Sequence, residues 1–112
     1  MRPPPAKLLI PAFWGAMALV LVMALLPAAP HSPVGDKAEH MIVFAVLASL
    51  ASHAYLRASM LKIGLGLAGF GGLIEILQSI PALGRNASVM DWAADCAGIA
   101  VVLGVTHLNE RR

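Results

Sequence analysis

The chain has 112 residues, of which 59% are hydrophobic and 12% charged, with a formal net charge of +2 and a mean hydropathy of +0.79. Soluble domains average about 25% charged residues, and a small fold buries only about 60–70% of the surface its unfolded chain exposes, so a soluble monomer is disfavoured. Intrinsic disorder is excluded by the high hydrophobicity and low charge, and the scattered basic residues form no nucleic-acid footprint, so no nucleic-acid partner is expected.

A helix crossing the hydrocarbon core needs about 20 mostly apolar residues at 1.5 Å each. Four stretches come close, which predicts an all-α integral membrane bundle of four transmembrane helices with short loops. It forms a single domain over 1–112, with approximate spans 8–27, 36–57, 59–80 and 88–108. The first stretch, from Leu8 to Leu26, carries no charge, and Pro11 lies near its start, where proline is tolerated. Arg2, Lys7 and the Pro27-Ala28-Ala29 segment also fit a signal peptide, but an apolar core of 19 residues exceeds the usual 7–15 or so. An uncleaved helix is the preferred reading. Pro27, Pro30, Pro33 and Gly35 break the chain before the second stretch, from Asp36 to Arg57, whose charges sit at its ends. The third, from Ser59 to Ile80, carries Lys62 near its start and Glu75 in its interior. Pro81 and Gly84 precede the fourth, from Ser88 to Leu108, which contains Asp91 and Asp95. Such short connections favour antiparallel neighbours. The single cysteine, Cys96, excludes an internal disulfide and a multi-cysteine zinc site and reads as a packing residue.

With four spans, Arg2, Lys7, Arg57, Lys62, Arg111 and Arg112 share one side of the membrane, six of the eight basic residues. The positive-inside rule then puts both termini in the cytoplasm. The acids lean the other way. Asp36, Glu39, Glu75, Asp91 and Asp95 fall toward the outer face, with Glu110 inside. Acids contribute little to orientation, so this bias points to a site.

Helical geometry sharpens it. Asp36 and His40 lie within about 40° of one another, and Val43 and Leu47 continue their stripe. On the third helix Gly64, Ala68, Gly71, Gly72, Glu75, Gln78 and Ser79 fill an arc of about 120°, and on the fourth Asp91, Asp95, Gly98 and Val102 share about 60°. Small residues line close helix contacts in membranes, so the Gly64-x-x-x-Ala68-x-x-x-Gly72 stripe turns Glu75 toward the bundle interior. His40 and Asp95 each lie about 6 Å inward of Asp36 and Asp91, and Glu75 about 8 Å inward of Ile80. Three helices therefore bring an ionisable residue to one level, about a turn below the outer interface.

Three motifs occur in order: Asp36-Lys37-x-x-His40-x-x-x-Phe44-x-x-Leu47, Glu75-x-x-Gln78, and Arg85-x-x-Ser88-x-x-Asp91-x-x-x-Asp95-x-x-Gly98. This set resembles the VanZ-like family of small bacterial integral membrane proteins over about two-thirds of the chain, from Asp36 to about Gly104. One position departs from the family pattern, since Asp95 stands where Asn is frequent. The resemblance implies a multi-pass protein of the bacterial cytoplasmic membrane and cell envelope. It also points to a family named for a protein associated with resistance to glycopeptide antibiotics such as teicoplanin.

Each residue also has a structural reading. Asp36 with Glu39, and Ser88 with Asp91, suit helix N-caps. His40 suits a neighbouring carboxylate, Glu75 suits Arg85 or His40, and Gln78 suits an interhelical bond. His53 and His107 read as interfacial, as do Trp14 and Trp92, although Trp92 is also placed to roof an outer pocket. The first functional reading is a polar site of Asp36, Lys37, His40, Glu75, Gln78, Arg85, Ser88, Asp91 and Asp95. It would bind an envelope lipid head group or an amphipathic glycopeptide, with Arg85 suited to a phosphate or carboxylate. The alternative is an enzyme acting on an envelope lipid. Asp36, His40, Glu75, Asp91 and Asp95 carry enough donor atoms for a divalent metal, and Glu75 would suit a general base. No compact metal motif or nucleophile arrangement accompanies them, so no catalytic residue, metal site or cofactor is assigned. The third reading is a helix-locking or partner-docking role. The partners expected are the bilayer, the amphiphile and a second copy in a homo-oligomer.

Overall fold

A computed structural model describes residues 6–26, 36–83 and 87–110. These are all-α, in four helices: α1 (Ala6–Leu25), α2 (Asp36–Ala54), α3 (Met60–Gln78) and α4 (Val89–Glu110), with a 3₁₀ turn at Pro81–Leu83. The helices match the expected stretches to within three residues at each end: α1, α2 and α3 stop two or three residues early, α1 begins two residues early and α4 runs two residues further.

Local chemistry sets those ends. After α2, Tyr55 and Ala58 close a tight turn through the Ala51 and Tyr55 carbonyls. Ser59 then adopts an extended backbone and caps α3, its Oγ accepting the Lys62 N–H at 3.1 Å. At the far end the Ser79 hydroxyl donates to the Ile76 carbonyl at 2.6 Å. Pro81 cannot donate to an α3 carbonyl, so the helix stops there. Ser88 caps α4, its Oγ accepting from Asp91 N–H at 3.4 Å. Pro11 lies inside α1, where it has no N–H to offer the preceding turn.

Three helices are long and apolar enough to cross a bilayer: Lys7–Leu25, Met60–Gln78 and Val89–Asn109. The expected second span, α2, is not among them. Lys37, Glu39, His40 and His53 dilute its apolar run. It is also the helix most surrounded by protein, packing broadly on α4 and also on α1 and α3. Of its polar residues His40 turns into the bundle, while Lys37, Glu39 and His53 are exposed, as are Ile42 and Val46.

The core is built from Phe44, Leu47, Ala48 and Ala51 of α2, Ile63, Leu67 and Ile74 of α3, Ile99 and Leu103 of α4, and Phe13 of α1. Phe13 packs edge-on to Trp14 and Tyr55, and the Trp14 indole donates to the Tyr55 hydroxyl at 2.6 Å. This aromatic group pins the middle of α1 to the turn that follows α2. The small-residue stripe of α3 makes a close helix contact as expected, and its partner is α4. A Cβ at Gly64 would lie 3.2 Å from Leu103, and one at Gly72 3.4 Å from the Trp92 indole. The closest approach joins α2 to α4, where a Cβ at Gly98 would overlap the backbone carbonyl of Met41.

Candidate polar site between the helices

The polar residues gather where α2, α3 and α4 meet. His40 of α2 donates through Nδ1–H to Asp95 Oδ1 of α4 at 2.7 Å. Its Nε2 lies 3.7 Å from Asp91 Oδ2, one turn earlier on α4. The Lys37 ammonium pairs with Asp91 Oδ1. Two ionic contacts a turn apart therefore bind α2 to α4. Glu75 of α3 is held from the other side, its Oε2 accepting the Ser88 N–H at 2.9 Å. That N–H precedes the first turn of α4, where the helix dipole favours a negative charge.

The level expected from helical rise is observed. His40, Glu75 and Asp95 each offer a ligand atom, and these atoms lie within 4.8 Å of one another. Asp91 and Asp95 are buried, Asp95 with no exposed surface, and Glu75 is 9% exposed. Glu75 Oε1 and Asp95 Oδ2 are buried and accept no hydrogen bond among the described residues. Asp95 fits because α3 has a glycine opposite: a Cβ at Gly71 would sit 2.8 Å from Asp95 Oδ2 and 3.3 Å from Phe44 Cζ.

Beside this cluster runs a cleft of about 280 Å³. Its walls are mainly apolar, with Leu19, Val20, Met23 and Ala24 from α1, Val43 and Phe44 from α2 and Ile74 from α3, while His40, Asp95, Gln78 and Glu39 supply its polar atoms. Leu19, Met23 and Glu39 are exposed at its edge.

The other expected site residues fall out as follows. Gln78 is buried and lines the cleft, but its Nε2 donates to the Ala24 carbonyl of α1 at 2.9 Å and not to the acids. Ser88 acts twice, as a capping hydroxyl and as the N–H donor to Glu75. The side chain of Asp36 and all of Arg85 lie outside the described residues. His53 is exposed and donates to the Ser49 carbonyl at 2.7 Å, and His107 is exposed. Trp92 lies over the small residues of α3, its indole N–H donating to the Ala68 carbonyl at 2.9 Å.

Two contributions escaped the sequence reading. The α1 wall of the cleft left no trace, because α1 is apolar on every side and so carries no periodic signal. The Ser88 backbone N–H is invisible to any count of side chains. Gly71 was legible in part, since it lies one turn before Glu75 on the small-residue arc.

Comparison with family models, with curated proteins and with solved structures finds no match, so the VanZ-like resemblance stands on the quoted residues alone.

Proposed function

We propose that this is a multi-pass protein of the bacterial cytoplasmic membrane that captures an amphipathic envelope molecule in an outward-facing polar site. In this reading all four helices span, both termini are cytoplasmic, and α2 crosses as the helix sheltered by the other three. The observation that carries the reading is the cleft itself: apolar walls lead to His40, Gln78 and Asp95. Acyl or alkyl chains suit those walls, and a polar head suits the buried cluster, because pockets place a few polar groups within an apolar lining. The ligand class is an envelope lipid. A lipophilic glycopeptide is the second occupant of the same chemistry, with antibiotic resistance as its consequence.

The test is lipid retention. Native mass spectrometry of the full chain released from membranes is expected to show one co-purifying lipid per protomer. Leu19→Trp at the exposed edge and Val43→Trp in the wall are expected to reduce it at least about tenfold, a loss of about 1.4 kcal/mol in affinity. Retention unchanged in both variants, together with unchanged glycopeptide susceptibility on deletion of the gene, would refute capture in this cleft.

A structural reading has its own support in the two ionic contacts that join α2 to α4. It differs in outcome, because Glu75→Gln would then lower thermal stability in detergent without altering lipid retention.

A further inference from the structure

The polar cluster holds a feature that head-group capture leaves unused. His40, Glu75 and Asp95 come from three separate helices, yet their ligand atoms converge within 4.8 Å. Bringing two carboxylates together out of water is costly unless a cation or a proton compensates them. The compensation among the described residues is partial. Glu75 Oε2 takes the Ser88 N–H and Asp95 Oδ1 takes the His40 Nδ1–H, while the Lys37 ammonium is engaged one turn away with Asp91. The second oxygen of each carboxylate, Glu75 Oε1 and Asp95 Oδ2, is buried without a hydrogen bond, on residues that are themselves 9% and 0% exposed. A cluster of acids alone would mean little. Two buried, unpartnered oxygens beside an imidazole add an independent demand for a positive charge.

We propose that His40, Glu75 and Asp95 hold a divalent transition-metal ion of the zinc or manganese type, with its remaining coordination positions open toward the cleft. One imidazole and two carboxylates form a nitrogen–oxygen set suited to zinc and its neighbours, whereas calcium seeks six to eight oxygens or so. Neighbouring ligands about 2.1 Å from an ion lie roughly 3–3.5 Å apart. The His40–Asp95 pair, at 2.7 Å, already has nearly that spacing, so Glu75 makes most of the approach. The ion replaces the Nδ1 proton that His40 donates to Asp95, and that proton passes to solvent. Asp91 Oδ2, 3.7 Å from His40 Nε2, then orients the ring from behind, the usual place of a carboxylate supporting a ligating histidine. With Asp91 neutralised by Lys37, a divalent ion balances the two triad carboxylates. This site does not depend on lipid capture, although an ion at the end of the cleft would suit a phosphate-bearing head.

The experiment uses the full chain in detergent, stripped with chelator and titrated with Zn²⁺, Mn²⁺, Mg²⁺ and Ca²⁺ as the metals alone. One Zn²⁺ or Mn²⁺ per chain is expected, with a raised Tm. Binding should weaken at least about 100-fold in His40→Gln, Glu75→Gln and Asp95→Asn. A combined His53→Gln, His107→Gln and Cys96→Ser variant should bind as the parent does. X-ray absorption of the zinc-loaded parent should show a single imidazole nitrogen among oxygens, which decides the matter even if the triad variants do not fold. Absence of stoichiometric binding overturns the proposal. So does equal binding in the triad variants, or an ion shell containing sulfur or lacking imidazole. Zinc binding that persists in Leu19→Trp and Val43→Trp while lipid retention is lost would leave the ion site standing; loss of zinc binding with lipid retained would remove the ion site alone.

Discussion

Gly98→Ala is expected to destabilise the bundle by about 3 kcal/mol, at the upper end of the usual range for overpacking. The added methyl would meet the Met41 carbonyl, with the Ala45 nitrogen 3.2 Å away. Both belong to the α2 backbone, so no side-chain rotamer can relieve the clash, and the helices must part. That movement would also stretch the His40–Asp95 and Lys37–Asp91 pairs, which span the same interface. Alanine at Gly66 provides the internal control. A Cβ there meets nothing within 4 Å among the described residues, and alanine is favoured over glycine in a helix by about 1 kcal/mol. Unfolding by denaturing detergent in mixed micelles should show Gly98→Ala markedly less stable and Gly66→Ala at least as stable as the parent. Equal stability of Gly98→Ala and the parent would mean that α2 and α4 do not meet at their backbones.

The second large effect concerns the buried pair. His40→Ala removes the N–H that satisfies Asp95 Oδ1 and leaves a fully enclosed carboxylate with neither oxygen partnered. Breaking a buried pair by deleting one member typically costs about 3–5 kcal/mol. The same substitution in an Asp95→Asn background should cost far less, because no stranded charge remains. A double-mutant cycle by the same unfolding assay should therefore give a coupling above about 1 kcal/mol. Additive losses would show that His40 and Asp95 do not share a buried contact.

Much of this was legible in the residues. Hydropathy marked all four helices, Pro81 and Gly84 marked the last connection, and Ser88 read as the cap of the helix after it. The small-residue stripe correctly turned Glu75 inward, because close contact requires glycine or alanine on the facing side. The common level of His40, Glu75 and Asp95 followed from helical rise alone. What the residues could not reveal was partner choice. Gln78 serves the Ala24 carbonyl of α1, and Glu75 takes the backbone N–H of Ser88. The second helix looked like a span of the same kind as the others. It packs against all three neighbours, and its polar residues leave it less apolar than the three helices long and apolar enough to cross a membrane.

Solid-state NMR of the protein in lipid bilayers, with ¹⁵N-histidine and ¹³C-labelled acidic residues, addresses the convergence of the three helices most directly. A His40 Nδ1···Asp95 Oδ1 distance of 2.7 Å corresponds to an imidazole nitrogen about 3.5 Å from a carboxyl carbon. A strong coupling of that range, lost in His40→Gln, is expected, along with a Glu75 carboxyl near the same ring. A His40 ring with no carboxyl neighbour, or a Glu75 carboxyl in contact with acyl chains, would contradict it.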